Sequence, residues 1–367
     1  MNFNLFPLIE KIKNPELRHI AEKVARNIPV NRDDARRLLS TPDILELGII
    51  AHSLRTRLHG DTVCYGVNMN LNYTNICELR CPLCAFSCDP GDSEAYVLSL
   101  ENIEKRVKKA VADGVDEVHI VGGLHPQLGL NYYEKMLKRI RGVKDDIYIV
   151  AFTAVEYDHF ARISGLPLEE VFQRLIAAGV NALPGGGAEI FAPQVRATIA
   201  PKKISGQRWL DIMRTAHDLG LKTNATLLYN HLESIEDIVD HLFQLRDLQA
   251  KTGGFKTFVP LPFHEENSDI KAQRKSTTGF DDIRLYAASR IILHNIPHIK
   301  ALWMYVGEKM AQVLLSFGVD DISGTYQNEK IVHAAGARTA DFGSEAHLKR
   351  LIANAGFTAR RTNAGYE

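Results

Sequence analysis

An α/β protein, a partial or full TIM-type β/α barrel behind an N-terminal helical extension, is the fold this sequence predicts, on three observations. Apolar residues recur every three or four positions through the first 60 residues, the spacing of helices that bury one stripe. The period then drops to two. After that, strand-like and helix-like stretches alternate down the chain, which calls for parallel strands joined by helical crossovers. A length of 367 residues is within reach of one such barrel.

The elements follow in order. "NPELRHIAEKVA" and "NRDDARRLLSTPDILELGIIAHSLRTRLHG" read as helices, with Pro and Asp at plausible starts. In "TVCYGVNMNLNYTN" the positions Val63, Tyr65, Val67, Met69, Leu71 and Tyr73 are apolar and their neighbours small or polar, so this stretch is expected to form one strand. Strand-like "VDEVHIVGG", "DIYIVAFTAVE", "VNALPGGGAE", "LKTNATLLYNH", "FKTFVPLPF" and "HIKALWMY" then alternate with helix-like "NYYEKMLKRIRG", "LEEVFQRLIAAG", "SGQRWLDIMRTAHDLG", "SIEDIVDHLFQLRDLQAKTG" and "TGFDDIRLYAASRIILHN". The expected division is a helical segment over 1–60, a barrel core over 61–320 and a closing segment over 321–367 that packs on the barrel. Polar and Gly-rich stretches fall at strand ends ("GGLHP", "TAVE", "GGGAE", "YNHLE", "FHEEN"), where a β/α barrel collects its chemistry.

Charge excludes some functions. Lys+Arg and Asp+Glu balance at 44 each, so no basic field argues for nucleic acid or a membrane surface as partner. No apolar run approaches the roughly 20 residues of a membrane span, and the N-terminus lacks the basic and apolar regions of a secretion signal. A cytoplasmic protein is expected, where clustered cysteines serve as metal ligands or redox groups more often than as disulfides.

Four of the five cysteines lie in "NICELRCPLCAFSC": Cys77, Cys81, Cys84 and Cys88. Spacings of three and then two suit a compact metal cluster. A zinc site usually joins two ligand pairs from distant segments, and no second pair at zinc spacing occurs, although four cysteines here could form one. A three-cysteine iron–sulfur cluster leaves one iron free for a ligand that is not protein. Cys88 is expected outside the cluster, and Cys64 is expected to be only a small residue on its strand.

Cys-x₃-Cys-x₂-Cys after the first strand of a β/α series resembles the radical S-adenosylmethionine (SAM) superfamily. The resemblance implies a [4Fe–4S] cluster on Cys77, Cys81 and Cys84 that binds SAM, and a flavodoxin or ferredoxin as electron donor. Leu83 departs from the aromatic residue usual before the third cysteine, and Phe86 is expected to take over its packing. The resemblance further implies cofactor-binding roles for Gly122 and Gly123 near the amino group of SAM, for Thr153 and Glu156 at the next strand end, and for Asn224 near the adenosyl group, while Glu189 is a candidate for the ribose hydroxyls or a substrate group. Each of these also has an ordinary reading as turn, loop or core.

"CAF", "LPGGGAEIF", "KISGQRWLDIMRTAHDLGLKTNATLLYNHLES", "TGGF" and "FVPLPFHEENS" together resemble the menaquinone-biosynthesis and deazaflavin branch of that superfamily. They are most similar to the aminofutalosine synthase family, although cyclic dehypoxanthine futalosine synthases share "GGGAEI" and "RTAHDLGL". Asn230, where that family typically has Gly, is a departure. Membership implies addition of the adenosyl group to an enolpyruvyl benzoate, a substrate with two carboxylates. Arg196 and the Gly185–Gly186–Gly187 amides are the candidates to bind them. His231 and His264, with Glu156, are the candidate proton carriers.

Overall fold

The computed structural model describes residues 6–271, 278–326, 329–340 and 342–367; residues 327, 328 and 341, in the expected closing segment, lie outside it. The N-terminal helices begin where capping chemistry dictates. Asn14 accepts from the Glu16 and Leu17 amides ahead of Pro15–Ala25, with Pro15 in the first turn. Asn31 and Asp34 form a capping box for Arg32–Ser40. The next helix, Ile44–His59, packs against Gly279–Ile292 on the side of the barrel.

Ten strands follow among the described residues: β1 (Thr62–Gly66), β2 (Asn68–Leu71), β3 (Glu117–Ile120), β4 (Tyr148–Ala151), β5 (Ala182–Leu183), β6 (Lys222–Tyr229), β7 (Phe255–Pro262), β8 (His298–Ile299), β9 (Asp321–Gly324) and β10 (Thr358–Arg361). Strands β2 to β8 pair in sequence order as one parallel sheet, and β1 lies between β10 and β9 in a second. A parallel bridge from Lys300 to Asp321 links the β8 edge to β9. The result is a curled parallel sheet with helices outside, a partial barrel.

Three expectations are corrected. The stretch after residue 61 is two strands in different sheets, broken at Val67. The break follows from Asn68, which is buried and whose amide and carbonyl both bond to Thr325 Oγ1, at 3.1 Å each, while its side chain accepts from the Tyr326 amide. All four residues of β2 are buried, polar ones included. Second, "TAVE" does not extend a strand: Thr153 and Glu156 form a capping box that opens the helix Ala154–Ser164. Third, the helix Leu100–Ala112, capped by Ser99, precedes β3 and was not expected.

A buried polar network centred on Asp320 forms the barrel base. The Asp320 carboxylate pairs with His298 Nδ1 at 2.5 Å, accepts the Ile299 amide at 2.9 Å, and lies 3.6 Å from His59 and 3.7 Å from Arg290. Tyr366 stacks on His298 with centroids 3.5 Å apart and bonds Asp321, so the last residues close this end.

Two histidines held neutral by burial make the fold lose stability in acid. His217 sits between the Thr252 and Thr223 hydroxyls, and burial holds its pKa down at about 4. His241 bonds the Thr226 carbonyl and stacks on Phe191, and burial takes it down to about 3. Both folded pKa values lie below the unfolded value of about 6.5, so the unfolded chain takes up protons first as pH falls. Stability is therefore complete above pH 6.5 and is lost as pH falls toward 4, by up to about 1.4 kcal/mol per unit for each histidine. Urea unfolding at pH 7, 6 and 5 should show this decline, and His241→Gln should flatten it.

Candidate active site

The chain leaves β2 into the cysteine loop, which backbone bonds close on itself. Ile76 bridges Cys88, the Cys77 amide donates to the Cys88 carbonyl at 3.1 Å, and the Cys88 amide donates to the Asn75 carbonyl at 2.8 Å. Arg80, left-handed at φ 44°, reverses the chain between the first two cysteines, and the Cys84 amide bonds the Cys81 carbonyl in the next turn. Three outside anchors hold the loop. Leu83 N donates to Ile199 O, Glu78 N donates to Leu124 O, and Pro82 O accepts from Ser268 Oγ and Asp269 N.

Cys77, Cys81 and Cys84 all line one cavity of about 330 Å³ at the C-terminal ends of the strands, while Cys88 and Cys64 do not. The Cys88 sulfur accepts from Asn75 Nδ2 at 3.2 Å, and Cys64 is buried in β1. Burial pushes the Cys81 thiol up to about 11, against the pull of the Lys203 ammonium. Among the described residues, no cysteine set brings three ligand sulfurs within 4.8 Å of one another. A single zinc with Zn–S bonds of ~2.3 Å would hold its sulfurs about 3.8 Å apart. Three thiols more widely spaced around a cavity suit a multi-iron cluster, in which each binds a separate iron.

The wall beside the loop is the end of β3. Gly122 and Gly123 both line the cavity, but their missing side chains admit protein. A Cβ on Gly123 would lie 2.1 Å from the Ile76 carbonyl oxygen, and one on Gly122 would lie 2.7 Å from the Tyr73 ring. Glu156 locks this corner. One carboxylate oxygen accepts from Tyr73 Oη (2.8 Å) and the Gly122 amide (3.1 Å), the other from the Thr153 amide and hydroxyl (2.7 Å each). Burial pushes its pKa up to about 7 against these donors. Glu156 and Thr153 line the cavity, with Glu156 acting as a brace.

After β5 the glycine run turns back under Val155, where Gly187 adopts φ 85° and a Cβ would meet Val155 Cγ2 at 2.3 Å. The Gly186 carbonyl accepts from Trp209 Nε1 at 3.2 Å, while the Gly186 and Gly187 amides find no acceptor among the described residues. Both glycines line the cavity, as do Glu189 and His264. His264 Nε2 bonds the Tyr305 carbonyl at 3.2 Å, and burial lowers its pKa.

Three candidates lie elsewhere. Arg196 is buried, and its guanidinium donates to the carbonyls of Gly187, Ala188, Ile190 and Ile204. It holds the glycine turn and does not line the cavity, which corrects its expected role at a substrate carboxylate. Arg196→Lys cannot reach four carbonyls, so stability should fall by about 2–4 kcal/mol in urea unfolding; a substrate-binding arginine would instead raise KM and leave stability unchanged. His231 has both ring nitrogens occupied, Nε2 by the Leu228 carbonyl (3.0 Å) and Nδ1 by the Leu232 amide (2.7 Å), and lies off the cavity wall. Asn224 is buried on β6, also off the wall, with its Oδ1 unpartnered among the described residues.

Two cavity residues were missed. Lys203 Nζ pairs with Glu189 Oε1 at 2.5 Å. Nothing in "PKKISG" separates it from Lys202, which is exposed. Tyr305 lines the cavity between Lys203 and Ile331 in chain order, beyond any motif. The Thr153-x-x-Glu156 capping box was a readable signal for a buried brace.

Comparisons agree with this geometry. Residues 71–245 match the Radical SAM superfamily, and residues 252–367 match the CofH/MqnC C-terminal region. An aminodeoxyfutalosine synthase of Thermus thermophilus is 39% identical over 94% of this chain and 94% of its own length, and one of Streptomyces coelicolor is 38% identical over 95% and 93%. A 5-amino-6-(D-ribitylamino)uracil–L-tyrosine 4-hydroxyphenyl transferase of Archaeoglobus fulgidus is 38% identical over 86% and 92%. The solved structure of methylornithine synthase (PylB) superposes with a TM-score of 0.74 over 93% of this chain and 97% of its own, at 16% identity, and so shares the fold. The chain therefore belongs to the radical SAM superfamily, whose members use a [4Fe–4S] cluster and SAM, and within it to the family of the aminodeoxyfutalosine synthases and their hydroxyphenyl-transferase relatives.

Proposed function

We propose that this chain is an aminodeoxyfutalosine synthase of menaquinone biosynthesis. It joins the 5′-deoxyadenosyl group of SAM to the enolpyruvyl carbon of 3-[(1-carboxyvinyl)oxy]benzoate; methionine and carbon dioxide leave, and 6-amino-6-deoxyfutalosine forms. The observation that carries this reading is the nearly end-to-end similarity to two aminodeoxyfutalosine synthases, around a cavity with three thiols on one wall.

Cys77, Cys81 and Cys84 hold the cluster. When bound, the cluster supplies the electron that cleaves the sulfonium of SAM. Gly122, Gly123 and Thr153 border the SAM side, with Glu156 fixing that corner through Tyr73 and Gly122. The unpartnered Gly186 and Gly187 amides offer donors to a substrate carboxylate. Leu79, Val121, Leu228 and Phe263 help keep the cavity dry, which a radical reaction requires. His264 is the cavity histidine placed to carry a proton or donate to substrate. A flavodoxin or ferredoxin in the cytoplasm serves as the reductant.

The test is anaerobic reconstitution and reduction, addition of SAM and the enolpyruvyl benzoate, and mass spectrometry of the products. Aminodeoxyfutalosine is expected in step with methionine. Conversion of 5-amino-6-(D-ribitylamino)uracil with tyrosine, without turnover of the benzoate, would assign the chain to the transferase relatives. Dehypoxanthine futalosine cyclising while SAM leaves as 5′-deoxyadenosine would assign it to the cyclases.

A further inference from the structure

A salt bridge stands in the cavity between Glu189, a candidate for the SAM ribose or a substrate group, and Lys203, which has no role in the reading above. Lys203 and Glu189 line it together with the three cluster cysteines, and their side chains are 16% and 11% exposed. Burying such a pair is costly unless something nearby needs the charges. Their backbones explain how they are aimed. Glu189 is left-handed at φ 46°, its carbonyl accepting the Leu228 amide at 2.8 Å, so it is tied to β6. Lys203 bonds back to the Ala200 carbonyl at 3.0 Å, in the turn after the helix Pro193–Ile199. The Ile199 carbonyl of that helix accepts the Leu83 amide. The segment that carries the ammonium therefore also grips the cysteine loop between Cys81 and Cys84.

The charges interact accordingly. Burial alone would strip the Lys203 proton, yet Glu189, Cys81 and Cys84 together hold its pKa above the ordinary lysine value. Burial pushes Glu189 up, but Lys203 and Arg196 outweigh it and keep the carboxylate ionised.

Resting on the cluster reading above, we infer that Lys203 and Glu189 are positioning residues whose charges act on the reduction potential of the cluster in opposite directions, each offsetting the other. Three thiolates on a [4Fe–4S] core of charge +2 give a net charge of −1. One electron from an external low-potential donor takes it to −2, and no bond forms or breaks. A cation nearby stabilises the more negative state and an anion opposes it, with an effect amplified where apolar walls exclude water. Neutral as a pair, Lys203 and Glu189 nearly cancel, and removing either one leaves a bare charge of known sign.

The test is a redox titration followed by electron paramagnetic resonance on reconstituted protein at pH 8 without SAM, with iron and sulfide counted for every sample. Glu189→Gln is expected to move the midpoint potential above wild type and Lys203→Met to move it below. The double variant should fall between the two, and Lys203→Arg should stay near wild type. A merely structural pair would not give opposite signs. Clusters present throughout with unchanged potentials, or with both single variants shifted the same way, would overturn the inference. If Lys203→Met fails to load, Glu189→Gln alone decides, and a potential at or below wild type overturns the inference. Wild-type protein that takes up no iron and sulfide would instead overturn the cluster reading beneath it.

Discussion

Cys81→Ala abolishes cluster loading and product formation together while leaving the fold in place. Cys81 is the most buried of the three cavity thiols, yet the loop that carries it does not depend on its sulfur. The Ile76–Cys88 bridge, the Ser268 hydroxyl on the Pro82 carbonyl and the Leu83–Ile199 bond all remain in the variant. Loss of the side chain removes a ligand and a small buried surface, so unfolding free energy should change by no more than about 1–2 kcal/mol. Iron and sulfide should fall to background, and aminodeoxyfutalosine with them. Cys88→Ala is the matched control: it costs two weak bonds, from Asn75 and to the Phe86 carbonyl, and should keep its iron. Loss of iron in Cys88→Ala with retention in Cys81→Ala would reverse the assignment.

Gly123→Ala is expected to have the second largest effect, by a different route. The new methyl carbon would lie 2.1 Å from the Ile76 carbonyl oxygen and 3.1 Å from Cys77 Cβ, and the first of these is backbone that cannot rotate away. Relief requires β3 and the cysteine loop to separate, which breaks the Gly123–Thr74 and Glu78–Leu124 bonds that join them. Overpacking of this kind costs about 3 kcal/mol or more, so the urea midpoint should fall markedly. Cluster content should fall with it, because Cys77 moves. Gly129→Ala, where a Cβ meets nothing within 4 Å, should leave both unchanged.

What the sequence made legible was local. The cysteine spacing is readable because all three cluster ligands come from one loop, and the crossover helices announce themselves by period and by caps such as Ser234 with Asp237. What it hid was non-local. Alternation runs unbroken through Val67, and only β9 and β10, contributed by residues 321–324 and 358–361, pull β1 away from β2. Arg196 stays off the cavity wall and Lys203 joins it for the same reason. A charged residue after a glycine run looks like an anion site, but four carbonyls folded around Arg196 consume it. Lys203 becomes a cavity residue only because the turn after Ile199 faces the cysteine loop. His231 was placed correctly at a strand end, but its ring is turned back onto its own chain.

In the synthase reaction the adenosyl group of SAM ends in the product, and isotope labelling follows it there. Reduced, reconstituted enzyme would be given SAM carrying ¹³C in its adenosyl ribose together with unlabelled 3-[(1-carboxyvinyl)oxy]benzoate, and the products read by mass spectrometry. The full label is expected in aminodeoxyfutalosine, with unlabelled methionine formed in equal amount. Label recovered only in 5′-deoxyadenosine, with the benzoate unchanged, would contradict the synthase reaction.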